Sequence, residues 1–157
     1  MDSYDEALYR KHADSLIRLA SSMVGSSDAE DVVSEAVLRV MNSRNWVNVE
    51  NKKAYLYRSV ANEARRLVQS RSRRQQRQLR FVRQGNPGPE EISTESLDLL
   101  TSLTARQRAV VYLTYWEDLD GAACGRSLGI SEGAVRRHLH RAKAKIRRSI
   151  DARAFSS

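Results

Sequence analysis

The sequence predicts an all-α protein made of two small helical domains joined by a flexible linker. Apolar residues recur at steps of three and four, and no segment alternates convincingly with the period of two that marks a strand. Two prolines and two glycines fall within residues 84–91, a stretch that interrupts helix and sheet alike. The last third of the chain outlines a helix-turn-helix. We therefore expect domains at residues 1–83 and 92–157, with residues 84–91 as the linker.

Charge is distributed unevenly along the 157 residues, whose formal net charge is +8. A basic chain of this kind favours a nucleic-acid partner. Acids outnumber bases in residues 1–40, whereas residues 65–83 hold eight arginines and no acid. We therefore expect more than one partner.

Cys124 is the only cysteine, which rules out an intramolecular disulfide framework and a cysteine zinc cluster. The N-terminal stretch lacks the basic and apolar regions of a signal peptide. No apolar run approaches the length of a membrane span. These features predict a cytoplasmic protein without membrane insertion.

Two amphipathic helices are predicted first, over residues 4–24 and from a capping box at Ser27 and Glu30 to about residue 42. The second helix buries a valine-rich face. Its outer face is an acidic stripe that contains one leucine and one arginine: Asp28, Asp31, Glu35, Leu38 and Arg39. Single exposed leucines are common, so an isolated leucine and a protein-contact patch ringed by charge are both open interpretations.

The third helix, from Lys52 into the arginine-rich stretch, has a polar face suited to unstacked bases and phosphates. An aromatic ring can stack on a base, an amide can read a base edge, and guanidinium groups neutralise phosphate. The alternative is an ordinary solvated face. The residues of this face are Tyr55, Arg58, Asn62, Arg65, Arg66 and Gln69, and the first five of them are the candidate DNA-binding residues.

The C-terminal domain is predicted to contain a Thr104–Gln107 capping box, a short helix capped by Asp120, and a long helix capped by Ser131. Apolar residues of the long helix form one stripe, ending with Ile146 and Ile150. The opposite side is basic, which favours DNA reading over a merely solvated helix. The residues proposed to act there are Ser131, Arg136, Arg137, His140 and Arg141.

Three stretches together resemble a bacterial RNA polymerase sigma factor of the extracytoplasmic-function (ECF) group. Residues 28–39 (DAEDVVSEAVLR) are similar to the family's polymerase-binding helix, and residues 54–62 (AYLYRSVAN) to its promoter-melting helix. Residues 103–108 and 128–143 resemble its helix-turn-helix. The resemblance implies a region 2-like domain over residues 1–83 and a region 4-like domain over residues 92–157.

The resemblance also implies a function for each surface. Asp31, Glu35, Leu38 and Arg39 would bind the clamp helices of the β′ subunit of core polymerase. Asn62 would help to hold a flipped base at the minus-ten element, with the other residues of its face nearby. The basic side of the last helix would read the minus-thirty-five element. An anti-sigma factor is the further partner implied.

Two other functions are weighed against this one. A stand-alone, dimeric helix-turn-helix regulator would explain the C-terminal domain, but it leaves the acidic stripe and the Tyr55 face without a function. An enzyme is not expected, because His138 and His140 point away from each other on a helix and no acid pair or cysteine completes a site. We accordingly expect no catalytic residue, metal or cofactor.

Overall fold

A computed structural model describes residues 2–81 and 102–156, and all regular structure in these ranges is helical. The all-α prediction is therefore confirmed. Residues 2–81 form the N-terminal module and residues 102–156 the C-terminal module; the predicted linker and domain boundaries lie outside the described residues. The helices are α1 (Ser3–Val24), α2 (Ser26–Met41), a 3-10 turn (Trp46–Asn48), α3 (Lys52–Phe81), α4 (Ala105–Tyr115), α5 (Gly121–Leu128) and α6 (Glu132–Ala154).

Three predicted helix starts are confirmed, because local side chains satisfy the first-turn amides there. Thr104 Oγ1 accepts from the Gln107 amide at 3.2 Å, and Gln107 Oε1 accepts from the Thr104 amide at 3.0 Å. The Asp120 side chain accepts from the amide of Ala123, and that of Ser131 from the amide of Ala134.

The predicted capping box at Ser27 and Glu30 is wrong. Gly25 alone separates α1 from α2, and its φ of 92° is a conformation that side chains rarely adopt. Helix α2 consequently begins at Ser26, which places Ser27 inside the first turn, where its hydroxyl lies beside Asp28. No side chain caps this helix.

The N-terminal module packs α1, α2 and α3 around the valine-rich face of α2, whose apolar residues are all buried as predicted. The loop before α3 is only partly buried. Trp46 is buried, but Val47 is 81% exposed. In the C-terminal module, Ile150 is 52% exposed because the apolar stripe of α6 runs beyond the helices that cover it.

A buried carboxylate joins the start of α1 to the start of α3. Asp5 Oδ2 accepts from the Trp46 indole Nε1 at 2.8 Å, and Asp5 Oδ1 accepts from Lys52 Nζ at 3.0 Å. The hydrogen bond from Trp46, followed by the nearby Lys52, lowers the pKa of Asp5 below its usual value. A lowered pKa means that Asp5 stabilises the fold above its unfolded pKa and loses that contribution as the pH falls.

The two modules share one apolar core. Helix α1 packs on α4, and α3 packs on α5, so residues from both modules join one cluster. The buried members of this cluster include Leu16, Leu19 and Met23 of α1, Leu56 of α3, Val110 and Leu113 of α4, and Leu128 of α5.

A polar network at α1, which we call the α1 joint, also links the modules. Arg108 of α4 donates from Nε to the Ser22 carbonyl at 2.6 Å and from Nη2 to the Met23 carbonyl at 2.8 Å. These carbonyls lie in the last turn of α1, where intrahelical partners are lacking and the helix dipole favours a cation.

The rest of the α1 joint centres on the hydroxyl of Tyr112. This hydroxyl accepts from Arg18 Nε at 3.2 Å and donates to Glu117 Oε1 at 2.5 Å. Ser15 Oγ donates to the same Glu117 oxygen at 2.9 Å. Ser15 and Arg18 belong to α1, so the network crosses from one module to the other.

The Asp5 contact yields a stability prediction. Asp5→Ala should lower the free energy of unfolding at pH 7 by about 1–3 kcal/mol, because the buried indole N–H of Trp46 loses its acceptor. Asp5→Asn keeps an acceptor oxygen and should lose less, and its stability should fall less steeply than that of wild type below about pH 4. Urea unfolding across this pH range measures both effects.

Asp2→Ala is the matched control, since Asp2 is exposed and its side chain makes no cap hydrogen bond. An unfolding free energy of Asp5→Ala equal to that of Asp2→Ala would contradict the prediction.

Candidate nucleic-acid interface

The outer face of α3 is exposed because its inner face is anchored in the core. Leu56, Val60 and Ala64 are fully buried. Because this inner face is buried, the orientation of the helix about its axis is fixed and its outer face points to solvent. Four of the five predicted minus-ten residues are exposed there. The exposed four are Arg58, Asn62, Arg65 and Arg66.

Tyr55 differs from the other four because it is half-buried. Its ring lies 6.3 Å from the ring of Trp46, and the Arg58 guanidinium lies 5.1 Å from its centroid. One aromatic face is thus in contact with a cation. In this arrangement Tyr55 orients Arg58, whereas the sequence pattern suggested a ring open to a base.

Glu63 was not expected from the sequence to matter, yet it connects two of the predicted surfaces. Glu63 Oε2 pairs with Arg39 Nη1 at 2.7 Å and with Arg66 Nη1 at 3.5 Å. Arg39 also pairs with Glu35 Oε1 at 3.3 Å. Ion pairs as exposed as these contribute little to the stability of the fold. Their main effect is to orient the side chains of Arg39 and Arg66. Glu63 and Arg66 are three residues apart, which is the spacing of an ion pair along a helix, so this pair could have been predicted from the sequence.

The acidic stripe of α2 is brought together as predicted. Asp31, Glu35, Leu38 and Arg39 are all exposed, and Leu38 is 59% exposed. The structure therefore presents a large apolar side chain among charged groups, an arrangement suited to a protein contact.

The helix-turn-helix consists of α5, a turn at Gly129, and α6. Gly129 ends α5 with φ 70°, the left-handed conformation that closes many helices. Buried Val135 and Ala142 hold α6 against the module. The predicted reading residues Arg136, Arg137, His140 and Arg141 are consequently exposed. Ser131 is also exposed, but its hydroxyl caps α6.

Positive charge from both predicted DNA surfaces converges near α4. Burial and then the positive charge of Arg65 lower the pKa of Arg106. Burial, and then Arg106 and Arg141, lower the pKa of His138, whose Nδ1 has no hydrogen-bond partner among the described residues. This crowding of cations produces a potential that attracts phosphate.

The two glycines of α5 have different roles. A Cβ on Gly125 would lie 2.6 Å from the Ile130 carbonyl oxygen, so glycine permits the turn to approach the helix. A Cβ on Gly121 would first meet Glu132 Cγ at 3.1 Å, a flexible side chain. Glycine is therefore required at position 125 but not at position 121.

Cys124, inside α5, is completely buried. Burial raises the pKa of its thiol to about 11, so the reactive thiolate is scarce at neutral pH. This environment favours the interpretation of Cys124 as a small core residue. No cluster of potential metal ligands was found in residues 2–81 and 102–156.

The glycine geometry yields an opposed pair of predictions. Gly125→Ala should lower the free energy of unfolding by about 1–3 kcal/mol, because the added methyl overpacks the turn. Gly121→Ala should leave the free energy of unfolding unchanged or raise it by up to about 1 kcal/mol, since alanine is the better helix former. Thermal unfolding of the two variants is the measurement, and equal stabilisation by both would contradict the account of the turn.

Family models match both modules. A model described as Sigma-70 region 2 matches residues 8–74, and one described as Sigma-70, region 4 matches residues 95–146. The residues of the two predicted DNA surfaces fall within these matches. Within the described residues, no helix has the length and apolar character needed to cross a bilayer.

The chain is also similar to named relatives. It is 31% identical to the RNA polymerase sigma-E factor of Streptomyces coelicolor, over 96% of this chain and 90% of that protein. It is 31% identical to the ECF RNA polymerase sigma factor SigL of Mycobacterium tuberculosis, over 90% of this chain and 85% of that protein.

A solved structure shows the same fold. The sigma factor RpoE, co-crystallised with the anti-sigma factor NepR from Bartonella quintana, superposes with a TM-score of 0.66 at 17% identity. The match covers 93% of this chain and 96% of that chain. The region 2 and region 4 matches and the sequence identities show that this chain belongs to the ECF RNA polymerase sigma factors, which direct polymerase to promoters.

Proposed function

We propose that the acidic stripe of α2 binds the clamp helices of the β′ subunit. The observation that supports this most directly is the exposure of Leu38 among Asp31, Glu35 and Arg39. The pairing of Arg39 with Glu35 and Glu63 orders the charged rim around that leucine. An apolar centre with an ordered polar rim is the anatomy of a protein interface.

Charge reversal tests this assignment. Asp31→Lys combined with Glu35→Lys should weaken binding to core polymerase at least about tenfold, because a complementary surface acquires the wrong charge. Glu30→Lys is the control, since Glu30 is an exposed acid of the same helix outside the stripe. Pull-down titration with purified core is the measurement. Unchanged binding of the double variant would rule out the stripe as the contact.

The outer face of α3 is proposed to hold the melted minus-ten strand, and the exposed side of α6 to read the minus-thirty-five duplex. Asn62 offers a donor and an acceptor to a base edge. Arg58, Arg65 and Arg66 surround it with positive charge, and Glu63 orients Arg66. On α6, Arg136, Arg137, His140 and Arg141 face solvent together, which suits a helix lying in the major groove.

Asn62 provides the test of the minus-ten surface. With core polymerase and a promoter that the wild-type chain selects from a random library, Asn62→Ala should reduce permanganate reactivity of melted thymines by about tenfold. Duplex binding at the upstream element should change little. Gln76→Ala, which removes an exposed amide nearly four turns along α3, is the control. Undiminished strand opening by Asn62→Ala would contradict the assignment.

The proposed protein partners are core polymerase and an anti-sigma factor, and the proposed site of action is the cytoplasm. The structural neighbour from Bartonella quintana was crystallised with an anti-sigma factor. The exposed α2 stripe and the basic surfaces of this chain are the surfaces that we propose such a partner would cover. The protein is proposed to act by binding, with no catalytic residue, metal or cofactor. A stand-alone dimeric regulator is not favoured, because the family relationship extends through the N-terminal module.

A further inference from the structure

The single acid of α3 lies where the proposed polymerase-binding stripe meets the proposed minus-ten face. Helix α3 carries ten basic residues and one acid, Glu63, whose side chain is 18% exposed. Asn62 beside it and Arg66 three positions on both belong to the minus-ten face. An acid on a helix that binds DNA is unfavourable for affinity, because it repels the phosphates that the arginines attract. Glu63 therefore calls for a role other than direct DNA contact.

Four side chains of alternating charge connect the two surfaces, and we call them the α2–α3 ion-pair network: Glu35, Arg39, Glu63 and Arg66. The guanidinium of Arg39 uses two of its nitrogens, because Nη2 donates to Glu35 Oε1 at 3.3 Å and Nη1 donates to Glu63 Oε2 at 2.7 Å. The same Glu63 oxygen pairs with Arg66 Nη1 at 3.5 Å. Two arginines thus share one carboxylate oxygen, and Arg39 is the closer of the two.

Sharing makes the two arginines compete for the charge of Glu63. The Arg39 side chain is 50% exposed and the Arg66 side chain 68% exposed, so water can replace either pair at low cost. A closer approach of Arg39 to Glu63 leaves less of the carboxylate charge for Arg66. The Arg66 guanidinium is then free to bind a phosphate.

We propose that Glu63 is a positioning residue that couples polymerase binding on α2 to minus-ten binding on α3. The inference rests on the proposed function of both surfaces. The α2 stripe is mainly acidic, so a polymerase surface that complements it is basic. A polymerase cation that pairs with Glu35 displaces Arg39 toward Glu63, and Glu63 in turn releases Arg66 to the DNA.

The coupling acts in both directions, because linkage between two binding sites is reciprocal. A phosphate that takes Arg66 leaves Glu63 to Arg39 alone. Arg39 then loosens from Glu35, and this carboxylate becomes available to polymerase. Arg66 lies four residues from Asn62 and so on the same side of the helix. The released guanidinium is therefore next to the amide proposed to contact a base.

A double-mutant cycle tests the coupling with each full chain in its isolated complex with core polymerase. The probe is a fluorescent single-stranded oligonucleotide with the non-template minus-ten sequence of the promoter selected from the random library. Arg39→Gln should weaken binding of this probe about threefold, because Glu63 then holds Arg66 alone. The same substitution in a Glu63→Gln chain should have no effect. Fluorescence anisotropy measures the affinities.

The cycle separates a shared carboxylate from a simple loss of positive charge. Attraction between Arg39 and DNA through space would make Arg39→Gln equally harmful in both backgrounds, and that outcome overturns the proposal. An unchanged affinity of the Arg39→Gln complex also overturns it. Glu30→Gln, which removes an exposed acid of α2 outside the stripe, is the control and should leave the affinity for the probe unchanged. Circular dichroism verifies the fold of each variant.

Nitrogen NMR of the free chain tests the network without polymerase or DNA. Glu63→Gln should shift the Nε–H resonances of Arg39 and Arg66, and it should leave that of Arg73, an exposed arginine farther along α3, in place. Absence of either shift would overturn the network itself. A failure of the proposed function is distinguishable, because both shifts would occur while the wild-type complex failed to bind the probe, and the coupling would then be overturned together with the minus-ten assignment.

Discussion

The guanidinium of Arg108 holds the carboxyl end of α1 against α4, and much of the structure depends on this contact. Its donors meet the Ser22 and Met23 carbonyls of the N-terminal module and the Leu103 carbonyl of its own module. Burial lowers the pKa of Arg108, yet an arginine remains charged throughout the physiological range. A single cation therefore satisfies carbonyls from both modules at the place where they meet.

The position of this contact determines which surfaces stay available. With α4 on α1 and α5 on α3, the outer face of α2 remains free and still presents Leu38. The packing of α5 on α3 also brings Gly129 against the aliphatic stem of Arg58. The surface proposed to bind polymerase is therefore exposed in this packing, whereas Arg58 of the proposed minus-ten surface lies against the turn of the helix-turn-helix.

Features that depend on a few neighbouring residues could be predicted from the sequence. The Thr104–Gln107 capping box and the cap at Asp120 involve groups three residues apart, and both were confirmed. The buried face of α2 follows from helical periodicity alone. The Ser27 capping box failed because the helix start was set by Gly25, a single-residue connection whose geometry the motif does not encode.

Features that depend on residues distant in sequence could not be predicted. The role of Arg108 requires the end of α1, and the need for glycine at Gly125 requires the Ile130 carbonyl. Glu63 looked like one acid before an arginine-rich stretch until α2 brought Arg39 to it. The sequence suggested two modules on a tether, whereas packing between α1 and α4 unites their cores.

Small-angle X-ray scattering of the free, unmodified chain tests most directly whether the two modules pack around one shared core. A compact chain of 157 residues should have a radius of gyration of about 15 Å, increased slightly by the projecting end of α3. Packing of the two modules around one core predicts a value near this and a distance distribution with one maximum. A radius well above about 20 Å, with a distribution that fits two separated modules, would contradict it.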